Sequence, residues 1–345
     1  MDAPLDLLGL TFGSFIEAAA LRRGQMPALR ALYARVFRDG ILDPADGFDA
    51  AAAERLRERF RFSVPAIAVG ATETGEFGET AKAIAAVEGG AVECVRIPSP
   101  NGSSTICVSS QLGCAMDCAF CETGRGGLVR SLSAAEIVGQ VVAARVRLGW
   151  DCRNIVFMGM GEPLANFDAL SGALRVLMDP NGLAYAQERI TVCTSGLVEG
   201  IAKLKTLGFR RMNLSISLNG VDDETRSRLM PRSASLDELA EALAAYTSRR
   251  NFALGVNYCL IPGVNDAARD LDGIAAFCRK VGRALVNVIP YNPGRAPLSR
   301  VPTEQEIAAF VAGLAERGVH LRRRPTKGRS IMAACGQLGG PDTTT

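Results

Sequence analysis

From Thr105 to Pro290 the sequence alternates between short apolar, β-branched runs and longer stretches of helical periodicity. The runs are Thr105–Ser109, Asn154–Met158, Arg189–Thr194, Met212–Leu218, Ala253–Leu260 and Ala284–Pro290. The helical stretches cover about 133–148, 167–178, 198–207, 236–249 and 266–281. A helix long enough to carry the chain back along a sheet lets the next strand run parallel to the last. Six such units predict an α/β fold, with a parallel sheet that is open or curled into a partial (β/α)6 barrel. Three helix starts are marked by a hydroxyl three residues before a glutamate: Ser133 with Glu136, Ser235 with Glu238 and Thr303 with Glu306. In each, the hydroxyl and the carboxylate satisfy N–H groups that the first helical turn leaves without partners.

The 345 residues suffice for one large domain and a smaller one. Residues 1–63 read as a helical domain, with Leu29, Leu32, Tyr33 and Val36 at helical spacing. Arg22, Arg23, Arg30 and Arg35 are interleaved there; a solvated face is the simpler reading and an RNA-facing helix the other. Residues 64–100 alternate apolar runs with glycine-rich turns and predict a small antiparallel β segment. Residues 101–325 form the barrel, and 326–345 a C-terminal loop whose end, from Gly339, is expected to fray. No apolar run is long enough to span a bilayer, and the N-terminus lacks the basic-then-apolar order of an export signal. The expected location is the cytoplasm. The net charge of +3 neither demands nor excludes a nucleic acid.

Ten cysteines in such a chain point to metal ligation or catalysis rather than a disulfide framework. Cys114, Cys118 and Cys121 stand in the segment Gly113–Cys121, directly after the first barrel strand. Thiolates are the usual ligands of an iron–sulfur cluster. Three on one short loop can hold three irons of a [4Fe–4S] cubane and leave the fourth open. A structural zinc site needs a fourth thiolate or imidazole, and the only histidine is the distant His320. The loop lies at the carboxyl end of its strand, where barrel active sites are built.

Other strand ends carry polar groups. Gly161 and Glu162, in Gly159–Pro163, follow the second strand; glycine admits close approach, and the carboxylate can pair an ammonium group. Cys193 begins Cys193-Thr194-Ser195-Gly196, and Ser217, Leu218 and Asn219 end the fourth strand; helix capping is the plainer role for both. Asn292 ends the sixth strand and is placed to meet a nucleoside. Two cysteines stand apart. Cys107 lies on the first strand and Cys335 beside Gly336 near the C-terminus, in a loop expected to swing a thiol into the barrel mouth. Buried inert thiols are the simpler alternative. The basic run Arg322, Arg323, Arg324, Lys327 and Arg329 precedes Cys335. Such a run lowers a thiol pKa, holds a phosphate backbone, or is a solvated turn.

The cluster loop and its position resemble the radical S-adenosylmethionine (SAM) superfamily. With Cys107–Cys114, Asn154–Leu164, Pro262–Asp266 and Ala333–Leu338 in this order, the chain resembles the RlmN/Cfr family of RNA adenine methyltransferases. The resemblance implies that the open iron binds the amino and carboxylate groups of SAM, which the reduced cluster cleaves to a 5′-deoxyadenosyl radical. It implies that Cys335 accepts a methyl group, that the radical activates this group for addition to adenine, and that Cys107 resolves the adduct and closes a disulfide with Cys335. Gly161, Glu162, Cys193, Ser217, Leu218, Asn219 and Asn292 would contact SAM. The implied substrates are adenine C2 of 23S rRNA and of tRNA, with C8 as the sister target; the implied electron donor is a flavodoxin or ferredoxin. A monomer with no membrane association is expected. The same chemistry on a small molecule or peptide is the alternative, and a cluster-bearing sensor a third. The chain departs from the family pattern at Cys193, Asn219 and Glu122, in the stretch Lys327–Met332, and in having its sole tryptophan at Trp150.

Overall fold

A computed structural model describes residues 4–20, 23–41, 43–44, 47–61, 64–246 and 254–339. Its centre is a ten-stranded sheet. The six expected strands are Ser104–Cys107, Asn154–Phe157, Ile190–Thr194, Asn213–Ser217, Leu254–Leu260 and Ala284–Pro290, all mutually parallel and ordered as in the chain. Each crossover therefore adds its strand beside the last, which is how a half-closed barrel grows. Helices Ala134–Leu148, Phe167–Leu177, Val198–Thr206, Leu236–Tyr246 and Ala268–Val281 fill the crossovers where expected. Ala253 and residues 247–249 of the expected elements lie outside the described residues.

The reciprocal caps form: the Ser133 and Thr303 hydroxyls each accept the N–H three residues on, at 3.2 Å, and Glu136 and Glu306 return the bond. Ser235 and Glu238 do the same.

The sheet exceeds the expectation at both ends. Leu321–Arg323 adds a seventh parallel strand beside Ala284–Pro290; three arginine-rich residues carry no apolar alternation to announce it. At the other end the segment 64–100 is antiparallel as expected, with strands Ile67–Gly75, Gly78–Val87 and Gly90–Pro98. It is not set apart, because Gly90–Pro98 pairs with Ser104–Cys107 and makes it continuous with the barrel. Helices Asp223–Leu229 and Glu304–Glu316 also lie outside the expected set, although the Thr303 cap marks the start of the second.

The N-terminal helices Phe12–Ala19, Met26–Asp39 and Ala50–Arg59 pack through Leu29, Leu32, Tyr33 and Val36, all buried. Burying each aliphatic side chain contributes about 1.5–3 kcal/mol. Tyr33 stacks on Phe15 and meets Phe12 and Phe37 at tilted angles, and its hydroxyl donates to the Leu10 carbonyl at 2.8 Å. Asp179 accepts the Phe12 N–H at 2.6 Å and fixes these helices to the barrel. Arg30 lies over the Phe12 ring, and Arg22 is outside the described residues.

Candidate active site

The carboxyl ends of the parallel strands open onto one cavity. Cys114, Cys118 and Cys121 line it together with Gly161, Glu162, Cys193, Ser217, Asn219 and Cys335. Sequence positions from 114 to 335 are thus brought to a single wall. Two expected contacts are placed elsewhere: Leu218 and Asn292 are buried but are not among the lining residues. Leu218 gives its carbonyl to Arg226. Asn292 accepts from Arg329 at 2.9 Å and donates to the Cys335 carbonyl at 3.4 Å, so its side chain braces the C-terminal loop.

The cysteine loop is fixed by its own backbone. The Cys114 N–H donates to Gly127, Ala119 to Leu229 and Cys121 to Cys118, at 2.8, 2.9 and 3.0 Å. Gly113 adopts φ +78°, where a Cβ would strike the Gly127 carbonyl, so the bend into the loop requires glycine. Among the described residues no three acidic, histidine or cysteine side chains converge on a single ion. A cubane asks for the opposite: three thiolates spread over three irons. Burial raises the Cys114 thiol to about 11 and the Cys118 thiol further. Coordinated iron inverts that preference, because a metal-bound thiol gives up its proton.

Glu162 is the other charged group on the wall. Its carboxylate accepts the Ser195 N–H at 2.7 Å and the Leu164 N–H at 3.0 Å, and burial still pushes its pKa up. Beside it the Ser195 hydroxyl is buried without meeting the geometry of a hydrogen bond, and the Asn257 amide nitrogen is likewise buried without an acceptor. Both residues line the cavity. Buried polar atoms normally find partners, so a donor, an acceptor and a carboxylate stand ready for a polar ligand. With three thiols opposite, these residues fit a [4Fe–4S] cluster and the amino acid end of SAM. Asn257 escaped the sequence reading; a lone asparagine in an apolar parallel strand was its only signal. Asn219, at φ +55°, accepts the Cys259 N–H at 2.8 Å and donates to Met230 sulfur, bracing the wall.

All ten cysteines are free thiols. Cys107 is buried on the first barrel strand, close enough that the charges of Cys107, Cys193 and Cys335 influence one another. Cys335 has exposed surface, but that surface lies on the cavity wall and the surrounding protein still desolvates it. Burial raises its thiol pKa and the Arg324 guanidinium offsets part of the rise. Three other members of the basic run are occupied within the protein: Arg323 pairs with Glu304, Lys327 sits over Phe77, and Arg329 holds Asn292.

The loop expected to swing is tied down. Glu122 donates its N–H to the Gly336 carbonyl at 2.8 Å, and the Thr123 hydroxyl donates to Leu338 at 2.7 Å. On the other side Glu73 accepts from the Gly328 and Ser330 N–H groups, and Glu93, paired with Lys82 at 2.8 Å, accepts from Gly339 at 2.7 Å. The thiol therefore reaches the cavity with the loop in place. Glu73 and Glu93 escaped the sequence reading because they act on chain segments remote in sequence.

Residues 108–273 match the model of the radical SAM superfamily. The chain is 37% identical to the dual-specificity RNA methyltransferase RlmN of Syntrophotalea carbinolica, covering 100% of this chain and 92% of that protein. It is 36% identical to a probable RlmN of Protochlamydia amoebophila, over 97% and 94% of the two chains. A crystal structure of a radical SAM methyltransferase from Sphaerobacter thermophilus superposes with a TM-score of 0.86 at 33% identity, covering 97% of this chain and 99% of that one. Sequence, fold and site agree, and this chain belongs to the RlmN/Cfr family of radical SAM RNA methyltransferases.

Proposed function

We propose that this enzyme methylates C2 of an adenine in 23S rRNA, and of an adenine in tRNA, by way of a methyl group carried on Cys335. Radical SAM enzymes use a [4Fe–4S] cluster and SAM. When bound, the pair supplies a radical able to abstract hydrogen, which an electron-poor ring carbon needs because it cannot displace a methyl group by ordinary nucleophilic attack. The observation that carries the reading is the shared wall: the Cys335 thiol lines the same cavity as Cys114, Cys118 and Cys121. The three loop thiols hold the cluster. Glu162 pairs the ammonium group of SAM, with Ser195 and Asn257 as further polar contacts, and Gly161 and Ser217 shape the seat. Cys335 carries the methyl group, and Cys107 takes the ring proton and resolves the adduct as a disulfide, which is nucleophilic catalysis with a second thiol. RNA as substrate is supported by the names of the curated relatives. The enzyme works as a cytoplasmic monomer, reduced by a flavodoxin or ferredoxin. Among the described residues no helix is long and apolar enough to cross a membrane.

Three measurements test this. Mass mapping of ribosomal RNA from a deletion strain should show one adenine lacking its C2 methyl group; an unchanged pattern would shift the reading to a small-molecule or peptide substrate. Cys335→Ala should abolish methyl transfer and leave SAM cleavage intact. Cys107→Ala should trap a covalent protein–RNA adduct, and free product from that variant would remove Cys107 from its role.

A further inference from the structure

Five charged side chains are buried among the described residues: Glu93, Glu162, Asp179, Arg226 and Asp270. Arg226 is the one cation, with 1% of its surface exposed. It lies on the Asp223–Leu229 helix and reaches across the ends of two barrel strands. Its guanidinium donates to the carbonyls of Ser195 at 2.8 Å, Ser217 at 2.9 Å, Leu218 at 2.5 Å and Ala234 at 3.2 Å. Every one of these partners is neutral. Asp223, on the same helix, accepts the Leu236 N–H and is the carboxylate that favours the guanidinium charge without pairing with it; the Cys118 sulfur is the next group to do so.

A cation in such a place is costly unless an opposite charge meets it. Carbonyl dipoles satisfy its donors and leave its charge. The protein around it points to where further negative charge belongs. Ser195 and Ser217, whose carbonyls it grips, line the cavity with the three loop cysteines. The Leu229 carbonyl at the end of its helix accepts the Ala119 N–H at 2.9 Å, between Cys118 and Cys121. Cys118 and Phe120 pack against the small apolar cluster that Leu229 and Met230 form with Ile261 and Tyr291. Arg226 thus stands behind the wall that carries the thiolates.

We propose that Arg226 is the buried counter-charge of the iron–sulfur cluster, a positioning residue that favours one-electron reduction while holding two strand ends in register. The proposal rests on the cluster reading of Cys114, Cys118 and Cys121. Three thiolates outweigh the doubly positive oxidised core, so the loaded site is anionic. The electron supplied by the external reductant makes it more so, with no bond formed or broken and no proton moved. A fixed positive charge in a low-dielectric wall stabilises the reduced state more than the oxidised one.

The test uses the full chain, anaerobically reconstituted with iron and sulfide, and compares wild type with Arg226→Gln and Arg226→Lys. Glutamine keeps an amide donor and loses the charge; lysine keeps the charge and loses the fork of donors. Potentiometric titration followed by electron paramagnetic resonance should show a lower midpoint potential in Arg226→Gln. At a fixed poise the ratio of reduced to oxidised cluster should fall about tenfold, equivalent to about 59 mV for one electron. Arg226→Lys should recover most of the loss. Melting temperature supplies a second readout: Arg226→Gln should cost stability in both forms, because donors to four carbonyls are lost, and should cost more in the loaded protein, where the charge facing the cluster is lost as well. A loaded Arg226→Gln protein with the wild-type potential would overturn the proposal, as would Arg226→Lys behaving like Arg226→Gln. Failure of Arg226→Gln to fold even without iron would make the arginine purely structural and also overturn it. A wild-type chain that takes up no cluster would sink the cluster reading and this proposal together.

Discussion

Replacing Glu73 by Ala should loosen the loop that presents Cys335 without touching the cavity. The Glu73 carboxylate accepts the Gly328 N–H at 2.6 Å, the Ser330 N–H at 2.8 Å and the Ser330 hydroxyl at 2.5 Å. A hydrogen bond to a charged group is worth about 1.5–3 kcal/mol when well made. Glu73 is only half-buried, so water can take over the released N–H groups, and we discount the set to about 1–2 kcal/mol in total. That corresponds to a rise of roughly 5- to 30-fold in the population of the detached loop. Amide hydrogen exchange read by mass spectrometry should show residues 328–339 exchanging faster by that factor, with the barrel strands unchanged. The dependence on acidity has a definite sign. Partial burial alone raises the Glu73 pKa, but the Ser330 hydroxyl and the Ser330 and Gly328 N–H groups bring it below its ordinary value. The clamp is therefore fully present above the ordinary glutamate value and is lost as pH falls through the lowered one. Unaltered exchange in this loop, in a variant with the wild-type melting temperature, would refute the reasoning.

Three other outcomes are expected. Glu162→Gln should raise the KM for SAM. Burial raises the Glu162 pKa, so in the unloaded wild type its contribution to stability is present below the ordinary glutamate value and lost as pH rises through the raised one; melting curves of the glutamine variant should lack that decline. Arg324→Gln should move the pH profile of Cys335 methylation to higher pH, since the Arg324 guanidinium is what pulls the Cys335 pKa back down; an unshifted profile would assign activation of the thiol elsewhere. Gly161→Ala should lose SAM binding, because its φ of +95° is strained for alanine and the added Cβ would stand 2.7 Å from the Gln111 nitrogen; calorimetric titration with SAM checks it.

Much of this was legible in the sequence because the governing forces act locally. Buried parallel strands need short β-branched runs and helix starts need capping side chains, so Asn154–Phe157 and the Ser133 cap could be found from neighbouring residues alone. The cysteine loop was legible for the same reason, since its three thiols lie within one turn of chain. Leu321–Arg323 was not, because it is a strand through its partner and not through its own side chains. Arg226 stands in Glu224-Thr225-Arg226-Ser227-Arg228, a polar stretch with nothing in it to mark a buried side chain. Its burial depends on carbonyls from two strand ends that only the closed barrel brings near. Asn292 shows the same limit: its place at a strand end was legible, and its bond to Arg329 of the C-terminal loop was not.

The seat of the C-terminal loop also sets an order of events. Gly328 meets Glu73 across 255 residues of chain, and Gly339 meets Glu93 across 246. A chain emerging from its N-terminus has its hairpins and early strands long before it has the segment that covers them, and contacts so remote in sequence form late. Until residues 328–339 dock, the thiols of the cysteine loop lack the stretch that carries Cys335. Metal assembly on the cysteine loop then has a window before residues 328–339 dock, and their docking would cover a centre already built.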